Sequence, residues 1–155
     1  MRERSRKAWF ALAGVVTVAA VAGAMLWLLA PGAPANGPVP VAWDKTPCAH
    51  CAMHVGEPAF AAQLQTQDGQ VLDFDDPGCL FRYLAEKRPE VSAMYFHHLS
   101  ESRWLSGAEA GFVAHSPTPM GYGFAAVDRA APGALSLEGA QTAVLARTNS
   151  TQGSP

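Results

Sequence analysis

Five side chains with reactive or metal-binding groups crowd into residues 46–55, TPCAHCAMHV. Two cysteines stand three positions apart, and one thioether and two imidazoles lie between or just after them. The residues are Cys48, His50, Cys51, Met53 and His54. A covalent c-type haem is excluded, because it needs a histidine directly after the second cysteine, where this chain has Ala52.

The two cysteines leave several kinds of site open. A structural zinc site usually takes two spaced pairs of ligands, but there is no second CxxC, and His97 with His98 would complete it at an untypical spacing. A Cys48–Cys51 disulfide is allowed in an oxidising compartment, although so short a loop would gain little stability. A thiol–disulfide exchanger places its CxxC at a helix N-terminus. Here the pair follows a Pro-rich segment, and no helical pattern comes after it.

A soft metal is the remaining interpretation, because thiolate and thioether sulfur prefer Cu(I) and imidazole also accepts it. Met120 lies between Pro119 and Gly121 in a predicted turn, where it either packs or supplies a second thioether. Met94 lies within a predicted strand and is better explained by core packing. One Cu(I) is therefore expected per domain. The candidate ligands are Cys48, Cys51, Met53, Met120, His50 and His54.

The N-terminal segment predicts export of this motif. Residues 1–8 carry four basic side chains against one acidic one, and residues 9–30 contain no charge. A helix over residues 9–30 would be roughly 33 Å long, enough for a hydrocarbon core of about 30 Å. We expect one uncleaved inner-membrane anchor with its basic end in the cytoplasm and the domain in the periplasm. The alternative is a signal peptide cleaved near the APA at 33–35, but the apolar run exceeds the usual length of about 7–15 residues.

The composition limits the function classes. After the basic start the chain has 7 Lys+Arg (11 minus 4) and 12 Asp+Glu (13 minus 1), which argues against a nucleic-acid partner. No Ser-His-Asp set, P-loop or pair of catalytic carboxylates stands out, so no enzymatic activity is predicted. The acidic run Asp73, Asp75 and Asp76 is explained by helix capping and a solvated face.

The fold class predicted from the pattern is α+β, with two tandem β-β-α-β modules behind an N-terminal transmembrane helix. In the first module, strands at 59–66 and 70–74 flank Asp68-Gly69, a helix begins at Asp76-Pro77 and stops before Pro89, and a strand follows. The second module is a weaker echo, with strands at 110–116 and 122–128, a short helix within 129–139 and a closing strand at 140–146. A Pro/Gly linker at 31–40, a folded domain at 41–146 and a disordered tail at 147–155 complete the predicted organisation.

Most of residues 44–127 resembles the NosL family, the accessory proteins of nitrous oxide reductase. The family pattern is a CxxCGM motif, an Asp-Gly hairpin, a Phe-Asp-rich helix start with a Cys and a Tyr, and a Pro-Met-Gly turn. The matching residues are Cys48, Cys51, Met53, Asp68-Gly69, Phe74-Asp75-Asp76, Cys79, Tyr83 and Pro119-Met120-Gly121. Within this pattern we expect Cys79, at the start of an apolar helix face, to be a buried structural cysteine and not a metal ligand.

The resemblance implies a copper chaperone of two β-β-α-β modules that delivers Cu(I) in the periplasm for the copper centres of nitrous oxide reductase, beside a membrane ABC-type complex. Family members are usually lipoproteins, but no cysteine precedes Cys48 here, so the apolar segment would have to serve as the anchor. Ala52 replaces the family's glycine, which would alter the loop locally if that position needs a positive φ. The alternative function is a membrane-tethered thiol–disulfide oxidoreductase that uses Cys48 and Cys51.

Overall fold

The computed structural model describes residues 36–152, together with Val21 and Met25, and its side chains are described as far as Arg147. Residues 1–32 and 33–155 form separate units. In the first unit, Val21 and Met25 are helical with exposed side chains. Among the described residues, no helix has the length and apolar character needed to cross a membrane. Apart from these two residues, the predicted anchor at 9–30 lies outside the described residues.

The second unit is a mixed α+β fold with two antiparallel sheets, which confirms the predicted class. The described elements are a 3₁₀ turn at Pro58–Phe60, β1 (Ala62–Thr66), β2 (Val71–Phe74), α1 (Pro77–Lys87), β3 (Val91–His97), β4 (Trp104–Ser106), β5 (Ala110–Ala114), β6 (Phe124–Asp128) and α2 (Leu137–Gln152). The larger sheet has the order β2-β1-β3-β4, and β5 pairs with β6 in the smaller one. The edge strand β4 was not predicted.

The first predicted module, β1-β2-α1-β3, is present. Gly69 takes a φ of 83° in the hairpin turn, as an Asp-Gly turn requires. The Asp76 side chain caps α1 by accepting a hydrogen bond from the Gly78 N–H at 2.8 Å. At the other end, Arg88 adopts a left-handed conformation with a φ of 49°, and Pro89 prevents further helix. Local sequence signals alone therefore fix where α1 begins and ends.

The second module differs from the prediction after its β5-β6 hairpin. Residues 140–146, predicted as a closing strand, lie within α2, because Ala140 and Val144 are fully buried at helical i, i+4 spacing. The short helix predicted within 129–139 does not form over residues 129–136, where Gly133 takes a φ of 75° in a turn, and α2 begins only at Leu137. Instead of the predicted closing strand, an isolated antiparallel bridge joins Leu135 to Phe112 of β5. The backbone of α2 continues to Gln152, beyond the predicted domain end at residue 146.

The core joins the larger sheet, α1 and β5. Four fully buried phenylalanines form its centre, and three of their ring pairs have centroids 4.9–5.9 Å apart. They are Phe74, Phe81, Phe96 and Phe112. Burying such a ring stabilises the fold by about 1.5–3 kcal/mol, so α1 is held firmly against both sheets.

The end of the predicted linker is attached to β1. The Gln63 side chain accepts from the Val39 N–H at 2.8 Å and donates to the Val39 carbonyl at 3.0 Å, as a neighbouring strand would. Gln65 donates to the Gly37 carbonyl at 2.7 Å. Both glutamines are buried, and these bonds satisfy the Gln63 amide and the Gln65 NH₂ group, whereas the Gln65 Oε1 is buried without a hydrogen-bond partner among the described residues.

Candidate metal centre

Three cysteine thiols meet at one place on the domain. The Sγ atoms of Cys48, Cys51 and Cys79 all lie within 4.8 Å of one another, close enough for one metal ion to contact all three. All three thiols are free. Cys48 and Cys79 are buried, whereas Cys51 is half-buried and forms the accessible side of the cluster. This three-cysteine cluster is the strongest candidate for a functional site.

A tight loop presents Cys48 and Cys51. Its ends are joined by an antiparallel bridge between Pro47 and His54, and the Cys48 N–H donates to the Met53 carbonyl at 2.7 Å. Ala52 has a φ of 63°, the left-handed conformation that glycine adopts most readily. The loop therefore keeps a glycine-like turn with alanine in it, which costs about 1–2 kcal/mol of strain.

The loop is attached to the chain that leads from β2 into α1. The Ala49 N–H donates to the Asp73 carbonyl at 2.9 Å, and the Gly56 N–H donates to the Asp75 carboxylate at 3.1 Å. These bonds place the loop beside the first turn of α1, and Cys79 lies in that turn. The β1-β2 hairpin therefore brings the start of α1 back beside the loop that carries Cys48 and Cys51.

Cys79 is the site residue that the sequence interpretation missed. Its predicted burial is confirmed, since its exposed fraction is 0%. The structure also places its Sγ within 4.8 Å of the other two, so a part in metal binding is proposed below in place of the purely structural role expected from the sequence. The signal in the sequence was the family pattern itself, which includes a cysteine at the start of this helix.

The cluster carries one preformed thiolate. The Cys79 thiol donates to the Cys48 sulfur, and this bond, against the opposing effect of burial, lowers the pKa of Cys48 to about 5. Backbone N–H groups of Cys51, Asp75 and His50 also stabilise the anion. The same thiol–thiolate bond and burial raise the pKa of Cys79, and burial raises the pKa of Cys51. At neutral pH the metal-free cluster therefore holds one thiolate and two thiols.

The other predicted ligands surround this cluster to different degrees. The side chain of Met53 is 56% exposed, and that of His54 is also exposed. His50 is more enclosed, with Nδ1 3.7 Å from the Glu86 carboxylate. No described contact joins these three side chains to the sulfur atoms, so their part in metal binding stays a prediction.

Met120 lies in a turn that rests on α1. The Gly121 N–H donates to the Thr118 carbonyl at 3.0 Å, which closes a turn over residues 118–121. The Met120 N–H donates to the Asp76 carboxylate at 3.2 Å, and the Met120 side chain packs partly buried against the core. Asp76 also caps α1, so the turn is tied to the helix that carries Cys79.

A second group of possible metal ligands, His98, Glu101 and Asp128, is better explained as an ion-pair network. His98 Nδ1 accepts hydrogen bonds from the backbone N–H groups of Ser100 and Glu101 at 3.2 and 3.1 Å. The proton of the neutral ring is therefore on Nε2, which faces Asp128 at 3.8 Å and has no lone pair for a metal. Arg103 also forms ion pairs with the carboxylates of Glu101 and Asp128.

His97, the residue before His98, contacts two tryptophans instead, as expected for adjacent residues on opposite faces of a strand.

The sequence model of the NosL family matches residues 38–153. The chain belongs to the NosL family. This confirms the resemblance drawn from the CxxC, hairpin and Pro-Met-Gly motifs. No curated protein matches the chain.

A solved structure shares the fold of this NosL domain. It is described as the crystal structure of the copper chaperone NosL from Shewanella denitrificans, and it is 20% identical in sequence with a TM-score of 0.52. The similarity covers 74% of this chain and 89% of that chain.

Proposed function

We propose that this NosL protein is a Cu(I) chaperone that holds its cargo on the three-cysteine cluster. The observation that carries the proposal is the meeting of three free thiols within 4.8 Å of one another. The lowered pKa of Cys48 adds to it, because a thiolate is the form that binds a metal. Thiolate sulfur is the ligand that Cu(I) prefers, and two or three such ligands suffice for it. Structural zinc usually takes four ligands, and among the described residues this cluster offers three from Cys and His.

The cluster is also built for release. Cys48 and Cys79 are buried, whereas Cys51 is half-buried and is followed by the exposed Met53. A partner's sulfur or imidazole would approach from the side of Cys51, displace it first and then take the ion from the two buried thiolates. The exposed Met53 thioether would stabilise copper during this exchange, since a thioether is a weaker ligand than a thiolate. Met120, His50 and His54 remain further candidate partners for the ion.

The alternative thiol–disulfide oxidoreductase fits the electrostatics less well. In such enzymes the accessible cysteine of the CxxC pair has the lowered pKa, because it attacks the incoming disulfide. Here the lowered pKa belongs to Cys48, which is 3% exposed, while burial raises the pKa of the more accessible Cys51. The ionised thiol is thus sheltered from a bulky disulfide but open to a small metal ion.

The cellular role we propose is delivery of copper in the periplasm for the copper centres of nitrous oxide reductase, beside a membrane ABC-type complex. Membership of the NosL family supports the role, and the uncharged segment at 9–30 supports a membrane tether. A strain that lacks this gene should make nitrous oxide reductase with depleted copper. The wild-type chain should restore the copper content, and a chain with Cys48→Ser and Cys51→Ser should not. Full restoration by that double variant would contradict the role.

The binding itself is tested by anaerobic competition for Cu(I) against a chelator. Cys48→Ser, Cys51→Ser and Cys79→Ala should each weaken binding, and excess Zn²⁺ should not displace Cu(I) from the wild type. For the thioethers, Met53→Leu and Met120→Leu are compared with Met94→Leu, a matched control in β3, because leucine nearly keeps the volume of methionine. Wild-type affinity in all three cysteine variants would refute the proposed site.

A further inference from the structure

We propose that Asp76 is a positioning residue for the copper site: its buried carboxylate fixes the turn that carries Met120 onto the helix start that carries Cys79, and thereby places the Met120 thioether for the metal. This inference rests on the proposed function, because it concerns how the Cu(I) ligands are assembled. Asp76 itself does not touch the ion. It acts through backbone groups on both sides of the site.

Asp76 makes more contacts than helix capping requires. Its exposed fraction is 0%, and one carboxylate oxygen accepts from the Gly78 N–H at 2.8 Å as an ordinary cap does. The other oxygen accepts from the Met120 N–H, 44 residues later in the chain, at 3.2 Å. The Thr118 hydroxyl also donates to the carboxylate. A single buried side chain thus joins two distant segments.

A serine or threonine would cap α1 at lower cost. Burying a carboxylate in place of a hydroxyl is unfavourable unless hydrogen bonds compensate it, and capping uses only one of the two oxygens. The hydrogen bonds that offset the burial of the second oxygen come from the turn at 118–121. The extra cost of a carboxylate at this cap is therefore explained by the bond to Met120.

The turn offers the Met120 N–H for this purpose. Its own closing bond joins Gly121 to Thr118, and Pro119 pre-sets the backbone, which leaves the N–H of the third residue free to point outward. A second contact holds the turn in the same place. Tyr122 packs so closely on Gly78 that a Cβ there would lie 2.2 Å from the tyrosine ring. Cys79 is the next residue after this contact.

Such anchoring matters for a thioether ligand. A methionine side chain has three rotatable bonds, and its neutral sulfur binds a metal weakly, so it contributes only when its backbone is already in place. Residues that orient ligands in this way typically change metal affinity by about tenfold or more when they are removed. The same size of effect is expected here.

The test is a double-mutant cycle on the full chain with Asp76→Ser and Met120→Leu. Serine keeps a hydroxyl that caps α1 but is too short to reach the Met120 N–H. Cu(I) affinity is measured by anaerobic chelator competition for the wild type, both single variants and the double variant, and copper X-ray absorption counts the sulfur ligands. Asp73→Asn is the matched control, because the asparagine oxygen can still accept the bond that Asp73 takes from Gln63 at 2.8 Å.

Each single variant should lose about tenfold in affinity and one sulfur ligand, and the double variant should lose no more than either alone. A merely structural role would not remove a sulfur ligand or cancel the effect of Met120→Leu. Wild-type affinity in Asp76→Ser, multiplied losses in the double variant, or an unaffected Met120→Leu protein would overturn the inference. If copper binding still depends on the cysteines in that case, only the inference about Asp76 fails and the proposed function stands. If the wild-type chain binds no Cu(I), the inference and the proposed function both fail.

A second variant guards against misfolding. If Asp76→Ser does not fold, Gly78→Ala displaces the same turn through its contact with Tyr122 and leaves Asp76 unchanged. Gly78→Ala should also remove one sulfur ligand while the three thiolates still hold copper. Retention of the full sulfur count in a folded Gly78→Ala protein would overturn the inference as well.

Discussion

Removal of the Cys79 thiol should greatly reduce the fraction of Cys48 that is ionised at neutral pH. The Cys79 S–H bond is the largest influence on the Cys48 thiol; together with backbone N–H groups, and against burial, it lowers the pKa from an ordinary value of 9.0 to about 5. At pH 7 a group with that pKa is about 99% ionised, whereas one with an ordinary pKa is only about 1–3% ionised. In Cys79→Ala, burial still raises the pKa and only the backbone N–H groups lower it. The ionised fraction at pH 7 should then fall several-fold or more.

The assay is a pH titration of the ultraviolet thiolate absorbance of reduced, metal-free protein. Wild-type protein should show one thiolate per chain at pH 7 that disappears with a midpoint near pH 5. Cys79→Ser is the matched control, because its hydroxyl can still donate to the anion and should preserve most of the thiolate. A midpoint near pH 5 that persists in Cys79→Ala would show that the two sulfur atoms do not share a proton, and would refute the description of the cluster.

Other consequences can be measured separately. Two of the three thiols are still protonated at neutral pH, so three-thiolate ligation should release two protons. The logarithm of the Cu(I) affinity should therefore rise by about two per pH unit near pH 7. A slope of one would indicate two-thiolate ligation. Ala52→Gly should raise the free energy of unfolding by about 0.5–1 kcal/mol in denaturant titrations by relieving the left-handed strain, whereas Ala49→Gly in the same loop should not; a destabilised Ala52→Gly protein would contradict the loop geometry. Val144→Ala should cost about 1–3 kcal/mol and Thr142→Ala almost nothing, since only the first is buried in α2; equal costs would favour the strand that was first predicted.

The elements around the site were predictable where local signals decide them. Asp76, Pro77 and Pro89 mark the ends of α1 in the sequence itself, and Asp68-Gly69 marks the hairpin. Residues 140–146 carry no comparable signal, because short apolar runs suit either a strand or a helix. The burial of Ala140 and Val144 decides for the helix, and burial is a tertiary property.

The same distinction applies to the site. Cys48 and Cys51 were predicted as partners because they are neighbours in sequence. Cys79 was not, since only the path of β1 and β2 brings it back to them. Asp76 was predicted as a helix cap, which the structure bears out, but its bond to the Met120 N–H depends on how two distant segments pack. Long-range coincidences of this kind cannot be read from spacing along the chain.

The most direct test of the central claim is copper X-ray absorption on the Cu(I)-loaded chain, compared between wild type and Cys79→Ala at one copper per protein. Three-thiolate ligation predicts that Cys79→Ala loses one sulfur from the copper ligands and binds Cu(I) more weakly than the wild type. An unchanged sulfur count and an unchanged affinity in Cys79→Ala would contradict the claim that the three-cysteine cluster carries the copper.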